Sequence, residues 1–137
     1  MRLQISTQLA IFAMLELVEH SDRQLTVAEI GAKYGVSNHH LAKVMHVLGR
    51  AGLVRSIRGA GGGYQFAGNA RRTTLLDIIE LFEKLIQSGQ DSGAPGEGTS
   101  EGRALHMVLA EIDDTARATL GSITLATLGG LVDRNRS

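Results

Sequence analysis

The chain contains no cysteine, no tryptophan, a single proline and only five aromatic residues among its 137 positions. Without cysteine it can form neither a disulfide nor a thiolate metal site. Few aromatics and one proline favour a mainly helical domain over a sheet sandwich. No signal peptide precedes the first apolar run, residues 9–18, which contains Glu16 and is about half as long as a membrane span. We therefore expect a cytoplasmic protein that does not contact a membrane.

The charges balance overall but are unevenly distributed along the chain. Residues 1–76 hold nine lysines and arginines against four acids, whereas residues 77–137 hold five against ten. A basic front half favours an anionic partner for that half. Chance unevenness in a short chain is the alternative, and charge alone does not decide between them.

The pattern of apolar residues, caps and glycines predicts mostly helices. We expect helices at about 6–20, 26–34, 38–51, 74–86 and 101–120, with a further turn or two after Thr124. Thr26 and Glu29 have the spacing of a capping box, and Gly35 is placed to end the second helix. Two short strands, 53–57 and 64–67, flank a glycine-rich loop and predict a hairpin. The stretch 87–100 is of low complexity.

The second and third predicted helices, joined by "KYGVS", have the pattern of a helix-turn-helix. The third helix has one apolar face at helical spacing, formed by Leu41, Val44, Met45 and Leu48. Its opposite face collects His39, Lys43, His46 and Arg50. No acidic residue occurs from position 30 to 76, and such a cationic face suits phosphate oxygens and guanine edges of double-stranded DNA.

The glycine-rich stretch "RGAGGGY", residues 58–64, is not a nucleotide-binding P-loop. A P-loop carries a lysine and leads into a helix, whereas here no lysine follows and a second strand comes next. A helix-turn-helix followed by a hairpin is a winged helix, so we interpret this loop as the wing tip. Its glycines would then adopt positive φ and allow the backbone to approach closely. The candidate sources of positive charge are Arg55, Arg58, Arg71 and Arg72. A merely flexible hairpin loop is the alternative.

The segment "NHHLAKVMHVLGRAGLVRSIRGAGGGYQFA" resembles the recognition helix and wing of the Rrf-two family of bacterial winged-helix regulators. The opening "MRLQIST" and the stretch "TTLLDIIELFE" are similar to that family too. The resemblance implies a homodimeric transcription regulator that binds an imperfect palindrome. The DNA-binding residues we expect are Ser37, Asn38, His39, His40, Lys43, His46, Arg50, Arg58, Gly61, Gly62, Gly63 and Tyr64.

Many members of that family hold an iron–sulfur cluster on three cysteines, and this chain departs from them. The family spacing falls on Ser88, Ala94 and Ser100. The additional ligand that some members use would fall on Arg103 or Gln8, neither of which suits it. We therefore expect no cluster. Natural loss and deliberate replacement of cysteines are both consistent with these residues.

The histidines do not form an evident metal site either. His39 and His46 are seven residues apart, about 10 Å along a helix, which is too far for one ion. His39 and His40 point apart, and His20 and His106 are isolated in sequence. No nucleophile–base or paired-carboxylate pattern stands out. We expect no metal, no cofactor, no catalytic residues and no enzymatic activity.

The long helix after the low-complexity stretch has an apolar stripe. It consists of Leu105, Val108, Leu109, Ile112, Ala116 and Leu120. Packing on the first helix is one explanation, but a stripe of this length favours a two-fold partner. We therefore divide the chain into a winged-helix domain (1–86), a flexible loop (87–100), and a dimerisation helix with a C-terminal tail (101–137).

Two other functions remain as alternatives. The loop 87–100 could receive a small ligand or a protein partner, which would make the chain a sensor. The winged helix could instead bind only proteins, although the acid-free face of residues 38–51 argues against that.

Overall fold

A computed structural model describes residues 1–83 and 93–136 of the chain. Over these residues there are six helices and one antiparallel pair of strands. They are α1 (Ile5–Glu19), α2 (Val27–Tyr34), α3 (Asn38–Arg50), β1 (Val54–Ile57), β2 (Gly63–Phe66), α4 (Leu75–Phe82), α5 (Ser100–Ser122) and α6 (Leu125–Arg134). The mainly α winged helix-turn-helix that the sequence predicts is confirmed, including its two-stranded wing.

Helix α1 lies at the centre of the core because small and large apolar residues cover most of its circumference. Ala10, Ala13 and Met14 are completely buried, and α3, α4 and α6 all pack against this helix. Full burial of one large apolar side chain stabilises the fold by about 1.5–3 kcal/mol. The prediction of a buried first helix is therefore confirmed, and α1 contacts β2 as well as these three helices.

Hydroxyl side chains begin five of the six helices described. In each case a serine or threonine accepts a hydrogen bond from the backbone N–H three residues later. At α4 the carboxylate of Asp77 also accepts from the N–H of Thr74, which completes a capping box. The capping box predicted at Thr26 is only half formed. The hydroxyl of Thr26 accepts from the N–H of Glu29, but the carboxylate of Glu29 lies 3.2 Å from the guanidinium of Arg23 instead of bonding back to Thr26.

Helix α4 is shorter than the sequence predicts. It ends at Phe82, whereas the prediction extends to about residue 86. Glu83 is already extended, and its carboxylate accepts a 2.9 Å hydrogen bond from the backbone N–H of Gln4, which holds it beside the start of α1. Residues 84–92, which include Ser88 and much of the predicted flexible loop, lie outside the described part of the chain.

The junction between α5 and α6 is fixed to the start of α4 by backbone hydrogen bonds. The N–H of Leu75 donates to Ile123, and the N–H of Leu125 donates to Thr73, both at 2.9 Å. Leu125 is completely buried, so α6 shares the core of the winged helix and packs on α1. The turn or two predicted after Thr124 is a helix of ten residues.

Helix α5 is the longest element and packs on α4. Its second half is held there by an ion pair between Arg117 and Glu80 at 2.7 Å. None of its residues is fully buried in the protomer. Across the described ranges, neither α5 nor any other helix is both long enough and apolar enough to span a membrane.

Candidate nucleic-acid interface

The turn between α2 and α3 depends on two glycines with different roles. Gly35 ends α2 in the left-handed conformation, with φ of 67°, as the sequence predicts. Gly31 lies inside α2, where a Cβ would be only 2.9 Å from the carbonyl oxygen of Val36. The sequence analysis missed this role. The available signal was a glycine within a helix, where it costs about 1 kcal/mol relative to alanine.

The inner face of α3 is the one that the helical spacing predicts. Leu41, Val44, Met45 and Leu48 are each at most 2% exposed. Their burial fixes the rotation of the helix about its axis, so the opposite side faces solvent. His39, Lys43, His46 and Arg50 are all exposed on that side.

The first turn of α3 has partners of its own within the protein. Ser37 caps the helix by accepting from the N–H of His40 at 3.1 Å. The half-buried imidazole of His40 lies with Nε2 3.1 Å from the hydroxyl oxygen of Ser6 in α1. Asn38, by contrast, is exposed. Two of the predicted DNA-binding residues, Ser37 and His40, therefore also anchor α3.

The wing is attached to the loop that precedes α2. Leu25 and Tyr64 exchange two backbone hydrogen bonds of 2.9 and 2.7 Å. The side-chain amide of Gln24 donates a third hydrogen bond, of 2.6 Å, to the carbonyl of Gly61. Tyr64 is half-buried and packs against the core. These bonds hold the hairpin against the body of the domain, a contact that the sequence analysis did not foresee.

Gly61 has the positive φ predicted for the wing glycines, whereas Gly62 and Gly63 are constrained by close contacts within the protein. Gly61 has φ of 76°, in the left-handed region that favours glycine. At Gly62 a Cβ would lie 2.4 Å from the carbonyl oxygen of Ile57, and at Gly63 a Cβ would lie 2.5 Å from that of Leu25. Both contacts are too short for any side chain. Arg58 is exposed in the same turn.

We call the exposed basic side chains of α3 and the wing tip the basic face: His39, Lys43, His46 and Arg50 of α3 with Arg58 of the wing. Among residues 1–83 and 93–136, no acidic side chain forms an ion pair with any of them. The cations of Arg23, Lys33, Arg117 and Arg136, located elsewhere, are all paired. The basic face therefore combines several exposed basic side chains without acidic partners, which suits it to attract a polyanion.

A buried carboxylate, which the sequence analysis also missed, joins α1 to the helix-turn-helix. The side chain of Glu16 is 9% exposed, pairs with the ammonium of Lys33, and accepts a 2.7 Å hydrogen bond from the hydroxyl of Tyr34. Burial raises the pKa of Glu16, but the hydrogen bonds from Lys33 and Tyr34 outweigh it, so the pKa lies below its ordinary value of 4.5. Burial and the nearby carboxylate raise the pKa of Tyr34.

The structure also groups His20, which is isolated in sequence, with two acids. One potential ligand atom each from Glu16, Glu19 and His20 lies within 4.8 Å of the others. Glu16 is already bonded as described, and Glu19 forms a 2.8 Å ion pair with Arg136. A metal ion at this place would have to displace two protein cations.

The residues at the family's cluster positions do not fit an iron–sulfur cluster. Gln8 donates its amide to the carbonyl of Leu3 at 3.0 Å. Ala94 offers no ligand atom, and the hydroxyl of Ser100 lies 3.3 Å from the guanidinium of Arg103. Iron in such clusters is held mainly by thiolates, and the chain has none.

Comparison with known proteins agrees with this geometry. The model of the Rrf2 family, described as an iron-dependent transcriptional regulator, matches residues 3–130. The chain is 48% identical over 136 residues to BadM of Rhodopseudomonas palustris, named as an HTH-type transcriptional regulator, and the match covers 99% of the chain and 86% of BadM. Among solved structures, IscR of T. potens is similar with a TM-score of 0.79 at 25% identity, covering 100% of this chain and 92% of IscR. CymR, the global cysteine regulator of B. subtilis, has a TM-score of 0.79 at 27% identity, with 96% and 98% covered.

Proposed function

The chain belongs to the Rrf2 family of transcriptional regulators, and from this premise we propose that it binds an imperfect palindrome in double-stranded DNA as a homodimer in the cytoplasm. The observation that carries the proposal is the basic face, a set of exposed basic side chains without acidic partners on the helix and hairpin that a winged helix presents to DNA. In this arrangement α3 enters the major groove and the wing tip lies on the backbone or in the minor groove.

The residues of the basic face differ in which part of the DNA they are placed to contact. Lys43 and Arg50 point outward from α3 and are placed to contact phosphates or guanine edges. Arg58 supplies charge at the wing tip, and Gly61, where a Cβ would meet nothing in the protein, leaves the backbone there bare for close approach. Ser37, Asn38 and the first turn of α3 are nearest to an approaching base edge or phosphate, because recognition helices make base contacts from their N-terminal residues.

A second copy of the chain is the partner that we propose for α5. Leu105, Val108, Leu109 and Ile112 lie on one side of its first half, and each is about half or more exposed. Such an apolar surface on a single helix is unfavourable in water and marks an interface. The later members of the predicted stripe, Ala116 and Leu120, are half-buried within the protomer, and Leu120 packs against the core.

In our proposal this dimer binds DNA without an iron–sulfur cluster. The residues at the family's cluster positions lack thiolates, so no step of regulation is assigned to such a group. We also assign no catalytic role to any residue, since the fold serves DNA binding. In this proposal residues 1–86 bind DNA and α5 forms the two-fold contact, as the sequence predicts. Helix α6 completes the core.

Selection of fragments bound from the host genome tests the function most broadly. Purified protein is mixed with sheared genomic DNA, and the retained fragments are sequenced. We expect one recurring motif made of two inverted half-sites whose centres are about one helical turn apart, because a two-fold dimer sets its recognition helices about 34 Å apart. Retention of fragments without any shared inverted motif would contradict the proposal.

A further inference from the structure

A cavity of about 440 Å³ opens on the side of the domain where α6 packs beside α1. The end of α2 and residues 70–71 complete its wall. None of the basic-face residues lines it. Its volume falls within the range of about 300–1,000 Å³ that is usual for small-molecule sites. DNA binding therefore does not explain this cavity.

The cavity wall is mainly apolar, and one of its cations has no ion-pair partner among the described residues. Leu15, Val18, Leu125 and Val132 supply much of the apolar surface. Each acid that lines it has an ion-pair partner, since Glu16 pairs with Lys33 while Glu19 and Asp133 share Arg136. Arg71 also lines the cavity, and within residues 1–83 and 93–136 its guanidinium has no ion pair. The charges of the wall balance overall, three acids against three cations, and Arg71 is the cation whose guanidinium has no ion-pair partner among the described residues.

Two adjacent glycines, Gly129 and Gly130, lie inside α6 and line the same cavity. Glycine weakens a helix interior relative to alanine. Neither residue has the left-handed φ that would require glycine, and a Cβ at either position would meet nothing within 4 Å. Neither backbone geometry nor packing in the protomer therefore calls for these glycines.

We propose that this cavity is an effector site for a small organic anion with an apolar body, whose charged group pairs with Arg71. Ligands of this class bury the apolar body against the wall and form a charge-assisted pair with the guanidinium. The site differs from the loop 87–100 considered above as a sensor, because none of residues 93–100, the described part of that loop, lines it.

The cavity is connected to the DNA-binding helices through its own lining. Lys33 and Tyr34 form the last turn of α2, immediately before Gly35 and the turn into α3. A ligand that contacts them alters the bonds that hold α2 to Glu16 and therefore the position of α3. This coupling rests on the proposed function, whereas binding to the cavity does not.

Two fluorescent probes of the same shape test the ligand class. 8-Anilinonaphthalene-1-sulfonate has an apolar body with one negative charge, and N-phenyl-1-naphthylamine lacks the charge. We expect both to bind the full chain, the sulfonate more tightly. Arg71→Met should weaken the sulfonate about tenfold or more, the usual contribution of a charged hydrogen bond, and leave the amine unchanged. Arg72→Met, which changes the adjacent arginine outside the cavity, should alter neither. Equal sulfonate affinity in the Arg71 and Arg72 variants would overturn the proposal.

Filling the cavity provides the second test. Gly129→Leu places a side chain into open space, so the protein should stay folded and dimeric while both probes lose binding at this site. If sedimentation shows instead that Gly129→Leu breaks the dimer, a second copy covers the groove and the effector proposal is wrong. Retained binding of both probes to a folded Gly129→Leu dimer would overturn it as well.

Coupling is measured last, by titrating the selected DNA fragment with and without saturating sulfonate probe. We expect the DNA affinity to change severalfold, and the probe affinity to change by the same factor when DNA is bound, because linkage is reciprocal. Unchanged DNA affinity alongside Arg71-dependent probe binding would overturn the regulatory role. Failure to bind any DNA would count against the proposed function instead, since the probe titrations need no DNA.

Discussion

The side-chain amide of Gln24 donates a 2.6 Å hydrogen bond to the carbonyl of Gly61, which joins the loop before α2 to the wing. A two-stranded hairpin alone is at best marginally stable in water. Here the hairpin gains this bond and the backbone pair between Leu25 and Tyr64. The direction of the wing is therefore set by the body of the domain.

Replacement of Gly62 by valine should disable the wing without unfolding the helices. A Cβ at this position would lie 2.4 Å from the carbonyl oxygen of Ile57 and 2.9 Å from that of Gly59, so the turn must open. We expect DNA affinity to fall by about tenfold, the equivalent of one charge-assisted contact, with an unchanged helical circular dichroism spectrum. Gly121→Val in α5, where a Cβ would lie at an ordinary contact distance of 3.5 Å from Leu76, is the matched control outside the basic face and the cavity. Normal DNA binding by the valine variant would show that the turn is not part of the interface.

The sequence predicts the local parts of this interface well, for physical reasons. Helical spacing identifies the buried face of α3 from Leu41 to Leu48, because a helix with one apolar face has only one favourable rotation. The strand bounds are right within a residue, since glycine and alternating residues mark a hairpin. The contacts of Gln24 and Glu16 could not be predicted in this way. They join residues 37 and 17 positions apart, and no local pattern encodes such pairs.

The buried carboxylate of Glu16 makes stability depend on pH in a defined direction. Its pKa in the folded state is below the ordinary 4.5, so the unfolded chain binds more protons in that range. The stabilisation is present above pH 4.5 and is lost as the pH falls through the folded-state value. Glu16→Gln should therefore be less stable than the parent at pH 7, by about 1–3 kcal/mol, and the difference should shrink in acid.

Urea unfolding at pH 7 and near pH 4 measures this difference. The control is Glu29→Gln, which removes an exposed pair with Arg23 and should cost less than about 1 kcal/mol. A Glu16→Gln variant as stable as the parent at pH 7 would show that the Lys33 and Tyr34 bonds contribute no net stability.

The two exposed apolar sides of α5 give a matched test of the dimer. Ile112 lies on the predicted stripe and is 59% exposed in the protomer, whereas Met107 is 72% exposed on the opposite side of the helix. Ile112→Asp should convert the dimer to a monomer at micromolar concentration, because a carboxylate would be buried between the copies. Met107→Asp should leave the mass measured by sedimentation unchanged. Dimers of equal affinity in both variants would place the two-fold contact elsewhere.

The absence of thiolates predicts a regulator that is indifferent to iron. Protein purified without oxygen should be colourless and free of iron and sulfide, and its DNA affinity should not respond to oxygen or nitric oxide. Ser88→Cys, Ala94→Cys and Ser100→Cys together should produce a brown, cluster-absorbing protein if these are the family's ligand positions. Iron and sulfide bound to the unaltered chain would contradict the prediction, whereas a colourless triple variant would count only against the three positions.

The contact between the basic face and DNA is tested most directly by the salt dependence of Lys43→Ala. Fluorescence anisotropy with the selected fragment gives the slope of log affinity against log salt concentration for the parent and the variant. If Lys43 meets one phosphate, the variant should bind more weakly and its slope should shrink by about 0.9. If Lys43 contacts a base edge instead, the slope should equal that of the parent. The preference for one base pair at the contacted position should then weaken. Arg134→Ala, which removes an exposed cation in α6, should change neither. A Lys43→Ala variant with parental affinity, slope and discrimination would contradict DNA binding through this face.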